Sequence, residues 1–212
     1  MTLNVMVLEN EPDASAPAQQ ELRDAGHTVL SCHGPASAAF PCLGVAQPSA
    51  CPLHTHAVDV ALVVRLGTRA QPTLGEDGAR CALVHRVPLV VAGTPLFDPF
   101  DEFASRTIDR TYDVVEACEA AASAPLAAFG TRATAVLHEV LDPSSPAADA
   151  TAVVHRVAGR LDVRIEHGEA MTKDERNRAA VRIVMALREL DPFAAGIDVA
   201  VDTASDAAKG TS

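Results

Sequence analysis

Short apolar runs recur along the first half of the chain, each closed by polar, glycine or proline residues. Leu3-Asn4-Val5-Met6-Val7-Leu8 runs into Glu9-Asn10-Glu11-Pro12, which predicts a buried strand followed by an acidic loop. Residues 13–25 have helix-compatible composition, with Pro17 in a first turn and Gly26 as the stop. Thr28-Val29-Leu30-Ser31-Cys32 predicts a second strand, Val58 to Arg65 a third and Val87 to Ala92 a fourth, closed by Gly93-Thr94-Pro95. A fifth, weaker strand falls near Arg106 to Ile108. Asp113 to Ser123 then places Val114, Val115, Cys118 and Ala121 at helical spacing. Strands apolar on both sides with helices between them indicate a parallel sheet covered on both faces, an α/β arrangement.

The second half reads differently. A short helix is expected from about Thr131 to Leu141, followed by the linker-like Asp142-Pro143-Ser144-Ser145-Pro146. Val153 to Val157 and Leu161 to Glu166 alternate in polarity around Ala158-Gly159, a hairpin pattern. Thr172-Lys173-Asp174-Glu175 has capping-box spacing. The helix it opens puts Ala180, Ile183, Val184 and Leu187 on one face, and Pro192 ends it. Ile197, Val199 and Val201 alternate with Asp198, Ala200 and Asp202, a strand with one wet face. The expected division is therefore 1–124 as an α/β domain, 125–150 as helix and linker, 151–202 as a small α+β domain and 203–212 as a disordered tail.

One stretch breaks the α/β pattern. Residues 33–57 contain Pro35, Pro41, Pro48 and Pro52, so a regular helix is not expected through most of it. A long loop without regular structure inside a compact domain calls for a function or a local staple.

Composition and charge narrow the functions. The formal charge is −11, and 48% of residues are hydrophobic, with no Trp and one Tyr, so the core must be mostly Ala, Val and Leu. Residues 1–150 hold 18 Asp+Glu against 8 Lys+Arg, and residues 151–202 hold 9 against 8. Neither part offers the basic stripe that nucleic-acid binding requires, so no nucleic-acid partner is expected. No apolar run approaches membrane-spanning length, and Met1 to Glu11 lacks a basic leader segment. A soluble, cytoplasmic protein is expected. Nearly all basic residues are Arg and Ala is abundant, the usage of a high-GC bacterial genome.

The first 123 residues resemble the receiver domain of bacterial response regulators. The resemblance is carried by the Val5-Met6-Val7-Leu8-Glu9-Asn10-Glu11-Pro12 run, by Leu22-Arg23-Asp24-Ala25-Gly26-His27, by the strand order, and by Ile108-Asp109-Arg110-Thr111-Tyr112-Asp113. It implies a flavodoxin-like sheet and a phosphorylation pocket at its carboxyl edge. On this sequence Glu9 and Glu11 take the places of the Mg²⁺-binding acids, Thr94 that of the phosphoryl-contacting hydroxyl, and Arg110 that of the lysine. The acceptor Asp is missing. Its position falls at about Val64, within Val63-Val64-Arg65, and Asp59 lies at the wrong end of the same strand. An aliphatic side chain cannot take a phosphoryl group. The expected role is a non-catalytic regulatory or protein-interaction module, and no enzyme. The small C-terminal αββαβ order is similar to the BON module in topology. Its last strand offers an edge where a second copy could pair, so a homodimer is a further expectation.

The cysteines give an alternative. Cys32 ends the second strand, Cys42 and Cys51 lie in the proline-rich loop, and Cys81 lies in the helix after the third strand. In a sheet ordered 2-1-3-4-5 these four can converge above the carboxyl ends of the strands. Four thiolates suit Zn²⁺ or an iron–sulfur cluster, and His33, His54 and His56 in the same loop leave a mixed set open. Buried inert thiols and a Cys42–Cys51 disulfide are the competing readings. Cys118 is expected in the core. His27, His85, His138, His155 and His167 are scattered and read as surface or capping residues. No Gly-rich phosphate loop, nucleophile elbow or H-E-x-x-H occurs.

Overall fold

The structure is a computed structural model and describes residues 2–33, 42–67, 70–93, 98–109, 113–157 and 159–201. Contacts divide the chain into two compact units, Met1–Ser123 and Ala124–Ser212.

The first unit is an α/β fold. Its strands are β1 (Asn4–Glu9), β2 (Thr28–Ser31), β3 (Val60–Val64), β4 (Leu89–Ala92) and β5 (Arg106–Ile108). All four pairings are parallel, in the order β2-β1-β3-β4-β5. That is the flavodoxin-like order, whose ligand crevice lies beyond the carboxyl ends of the strands. The side-chain alternation of the strands sorts the core into two layers. Val5, Val7, Leu62, Val64 and Val90 pack with helices α1 (Ala16–Asp24) and α5 (Val114–Ser123), through Ala18, Leu22, Ala117 and Cys118. Met6, Leu8, Ala61, Val63, Leu89 and Val91 pack on the other face with Ala79 and Ala82 of a later helix (Gly78–Val84). Small alanines at these positions let the helices sit close to a Val- and Leu-rich sheet, which is how a core nearly free of aromatics is filled.

The proline-rich segment departs from expectation. Its described part forms α2 (Leu43–Ala46), a 3₁₀ turn (Pro48–Ala50) and α3 (Pro52–Thr55). Pro48 and Pro52 open their turns instead of breaking them, because the missing N–H is not needed in a first turn. After β3 come a second 3₁₀ turn (Leu74–Glu76) and α4 (Gly78–Val84). Asp59 lies at the amino end of β3, where its carboxylate accepts from the Asn4 N–H at 2.8 Å. His27, expected at the surface, is buried; its Nδ1 accepts from the Leu3 N–H at 3.2 Å.

The second unit has the order α6 (Ala127–Val140), β6 (Thr151–Val157), β7 (Arg160–Glu166), α7 (Lys173–Leu190), β8 (Ile197–Val201). β6 and β7 are antiparallel and β8 joins β7 in parallel, leaving β8 at an edge of the three-stranded sheet. Thr172 and Glu175 form the expected box: Glu175 N–H donates to Thr172 Oγ1 at 3.2 Å, and Thr172 N–H to Glu175 Oε2 at 2.7 Å. The buried face of α7 carries Ala179, Ile183, Ala186 and Leu187, with Ala180 and Val184 only half-buried at its side. Of the segment expected as helix and linker, 125–150, the helix is present as α6 and the stretch after it packs into this unit. Phe129, Ala133, Val136, Leu137, Leu141, Ala147 and Ala150 all belong to the core of this unit. The 203–212 tail lies outside the described residues. Among the described residues no helix is long and apolar enough to cross a membrane.

Candidate functional site

The carboxyl edge of the first sheet carries the residues of interest. β1 and β3 are in register from Val5–Val60 to Glu9–Val64, so Glu9 and Val64 end side by side. Three groups there decide what the edge can do.

Glu9 is already engaged. Its Oε2 accepts from the Ser15 N–H at 3.0 Å and the Ser15 hydroxyl at 2.7 Å, and its Oε1 accepts from the Asp13 N–H at 3.3 Å. These bonds hold the turn that enters α1, where a carboxylate also suits the positive end of the helix. The resemblance implied a cation ligand at this position; in the structure these bonds anchor the turn. Glu11 is exposed on the following loop.

Asn10 stands between the two acids and is buried. Its Nδ2 donates to Leu66 O at 2.8 Å and its Oδ1 accepts from Leu66 N–H at 2.9 Å. A side-chain amide matches both backbone groups at once, which a carboxylate cannot do because it lacks the donor. The chain leaving β1 is thereby clamped to the chain leaving β3 with no net charge.

Arg65, the first residue after β3, is the third group, and it was not singled out in the sequence. Its N–H donates to Ala92 O at 2.8 Å, and its side chain is 0% exposed. Nε lies 3.0 Å from Glu76 Oε1, with Glu76 also 0% exposed, and Nη1 lies 3.5 Å from Asp98 Oδ1. Nη2 reaches Gln71 O at 3.4 Å, and the guanidinium carbon lies 5.8 Å from the Phe100 ring centre. The other oxygen of Glu76 accepts from the Thr73 N–H at 2.7 Å and the Thr73 hydroxyl at 3.1 Å. A guanidinium in a low-dielectric site persists only when paired and hydrogen-bonded; here Glu76 supplies the opposite charge, and hydrogen bonds run through Nη1 and Nη2 to Asp98 and Gln71. Arg65 therefore ties the β3–α4 connection to the β4–β5 connection. Two cues were available: a lone Arg closing an apolar strand, and Thr73-x-x-Glu76, which has the same capping-box spacing as Thr172 and Glu175.

Thr94 and Arg110 lie outside the described residues. Comparison with protein-family models, curated proteins and solved structures finds no match to the chain.

Beside these groups lies a cleft of about 1820 Å³, lined by Glu9, Glu11, Cys32, His33, Asp77 and Arg80 among others. The cysteines gather at the same edge. Cys32 follows β2, Cys42 and Cys51 precede α2 and α3, and Cys81 is in the second turn of α4. Burial pushes the Cys32 thiol up to about 12, and the neighbouring Cys51, Cys81 and Cys42 sulfurs push it in the same direction. The Cys81 thiol is raised by partial burial, then by Cys42, Cys51 and Asp77, against a lowering from its own backbone hydrogen bond. All five cysteines are free, and Cys118 is buried in the core, where burial raises its thiol to about 12. Among the described residues no three His, Cys, Asp or Glu side chains already stand at metal-binding spacing.

The histidines of the loop do not act together. His54 lies in a tilted ring contact with His85, 5.5 Å between centres, and His56 Nδ1 lies 2.9 Å from the Thr55 hydroxyl. His33 differs: both of its ring nitrogens are buried without a hydrogen-bond partner among the described residues.

Proposed function

We propose that the chain is a phosphorylation-independent pseudo-receiver, a regulatory module that works by binding a protein partner and not by catalysis. The observation that carries this reading is the buried Arg65–Glu76 pair directly after β3. Phosphoryl transfer to a receiver needs a carboxylate there, a metal held by neighbouring acids, and room for the incoming group. Here β3 ends in Val64, which is fully buried, and then in an arginine whose charge is already balanced by Glu76 and Asp98. Glu9 spends its oxygens on Ser15 and Asp13, and Asn10 is neutral. The three bonding patterns replace a switchable charge cluster with fixed links. The edge is held in one arrangement whether or not a phosphodonor is present.

The adjoining cleft has mixed charge, with Glu9, Glu11, Asp13 and Asp77 facing Arg23 and Arg80. Polar surface of both signs suits a protein segment better than a polyanion. The test uses beryllofluoride with Mg²⁺, which mimics a phosphoryl group on an acceptor carboxylate. Backbone amide spectra recorded with and without it are expected to superimpose at Glu9–Asp13, Val64–Gly67 and Gly93. Saturable shifts confined to those residues would overturn the reading.

A further inference from the structure

We propose that the chain self-associates through the open edge of its second sheet, β8 pairing antiparallel with β8 of a second copy about a two-fold axis at Val199. The proposal concerns the second unit and is independent of the pseudo-receiver reading.

Three observations carry it. The first is that the two edges of the sheet are treated differently. Along β6 the chain covers its own outward backbone groups. Ala152 N–H donates to Thr134 Oγ1 at 2.9 Å, the Thr134 hydroxyl donates to Ala152 O at 3.5 Å, and Leu126 N–H donates to Val154 O at 2.7 Å. On the other side, Leu161 N–H donates to Gly196 O at 2.9 Å, which sets the phase of the parallel ladder. Asp198 and Ala200 turn their backbone groups to β7, and Ile197, Val199 and Val201 turn theirs outward. Among the described residues nothing bonds to those outward N–H and C=O groups. β8 carries no Pro, Lys or bulge, the common guards of an exposed edge. Its one charge, Asp198, is held by Arg160 of β7 through Nε at 2.9 Å and Nη2 at 2.8 Å.

The second is the apolar strip along that edge. Ile197, Val199 and Val201 pack against the core of the unit yet are only half-buried, because the sheet ends there. α7 packs against β8. Arg182 reaches Glu139 of α6, so Ala180 and Val184, about half a turn round the helix, fall on the flank turned away from α6. Both are half-buried, and the adjoining Val181 is 61% exposed. A second copy of the same strip would cover strand edge and helix flank together.

The third is self-complementarity. An axis at Val199 sets Ile197 against Val201 of the second copy and the two Val199 residues against each other. Every outward N–H of either strand then meets an outward C=O of the other. In this register Asp198 stands opposite Ala200 of the second copy, and beyond that alanine lies Arg164, its neighbour on β7. Arg164 and Asp198 of the second copy are two strand spacings apart, about 10 Å between Cα atoms, a gap the two side chains span over one methyl group. Arg164 is exposed, with a 3.5 Å contact to Asp162. The two-fold makes this attraction twice. Centring the pair on Asp198 would set the two acids face to face, and centring it on Ala200 would leave Ile197 outside the paired stretch. Charge therefore selects one register.

The test uses the full chain. An interface of one strand pair and a helix flank belongs to the transient class, so light scattering behind size exclusion covers roughly 1–300 µM. The mass should rise from 22.1 kDa towards twice that value. Hydrogen exchange locates the contact: the Ile197, Val199 and Val201 amides should slow as the dimer forms. Ala200 is exposed, so Ala200→Asp should leave the circular dichroism unchanged. It brings an acid against Asp198 on both sides of the axis, and the dissociation constant should rise about tenfold. Thr151→Asp makes the same charge change at the covered edge and should leave that constant as it was. A 22.1 kDa monomer throughout the range would overturn the proposal, as would a dimer indifferent to Ala200→Asp. Slow exchange of the three amides in the monomer would give the edge to another segment of this chain and overturn it as well.

Discussion

Replacing Arg65 by Ala is expected to destabilise the first unit by about 3–5 kcal/mol. The guanidinium and its Glu76 partner are both fully buried, 3.0 Å apart, and Asp98 and Gln71 also contact the guanidinium. Removing the cation leaves the Glu76 carboxylate in a dry site with only the Thr73 N–H and hydroxyl to hold it. Glu76→Ala leaves Asp98, 3.5 Å from Nη1, beside the guanidinium and should cost less than Arg65→Ala. The cost lies in the uncompensated charge more than in lost attraction, so the paired replacement Arg65→Met with Glu76→Leu should recover most of the loss. Urea unfolding followed by circular dichroism, with hydrogen exchange at β3 and β4 to assign the change to this unit, measures all three. A loss below about 1 kcal/mol for Arg65→Ala would place the pair among weak surface contacts.

Gly93→Ala is the second large effect. Gly93 ends β4 at φ +128°, a conformation that disfavours any side chain. A Cβ there would stand 1.9 Å from the Arg65 carbonyl oxygen and 2.9 Å from its carbon. Backbone cannot swing aside as a side chain can. Relief requires β3 and β4 to part just where Arg65 N–H donates to Ala92 O and Gly93 N–H donates to Ile108 O. Conformational strain and overpacking together should cost on the order of 3 kcal/mol. Gly26 supplies the control. Its φ is +85°, yet a Cβ there meets nothing within 4 Å, so Gly26→Ala should cost only about 1 kcal/mol. Equal losses at the two glycines would mean that packing at the β3–β4 exit plays no part.

Much of the fold was legible because its signals are local. The Val-rich runs of β1, β3 and β4, the Thr172–Glu175 box and the alternation around residues 158 and 159 each follow from the residues inside the element. The loop at 33–57 misled because proline has two meanings. Inside a helix it breaks the chain, but Pro48 and Pro52 stand at the first position of a turn, and only the neighbouring geometry separates the two cases. The 125–150 segment misled because Pro143, Ser144, Ser145 and Pro146 have linker composition, while Ala147 and Ala150 nearby are buried small residues that read as neutral.

The site was half legible. Absence of a carboxylate at Val64 is visible in one dimension. The fate of Glu9 was not visible, since its partner Ser15 is one of several hydroxyls that could have served. Nor was the Asn10–Leu66 clamp, which joins residues brought together only by the β1–β3 pairing. Arg65, Glu76 and Asp98 come from three different connections and share no spacing rule. Their association depends on the sheet closing first.

The central claim is that the acceptor position at the end of β3 offers Val64 where a receiver needs a carboxylate, and intact-mass spectrometry after incubation with acetyl phosphate and Mg²⁺ tests it most directly. The account predicts an unchanged mass at every donor concentration and time. A gain of one phosphoryl group, stable enough to map to the β1 or β3 exit, would contradict it.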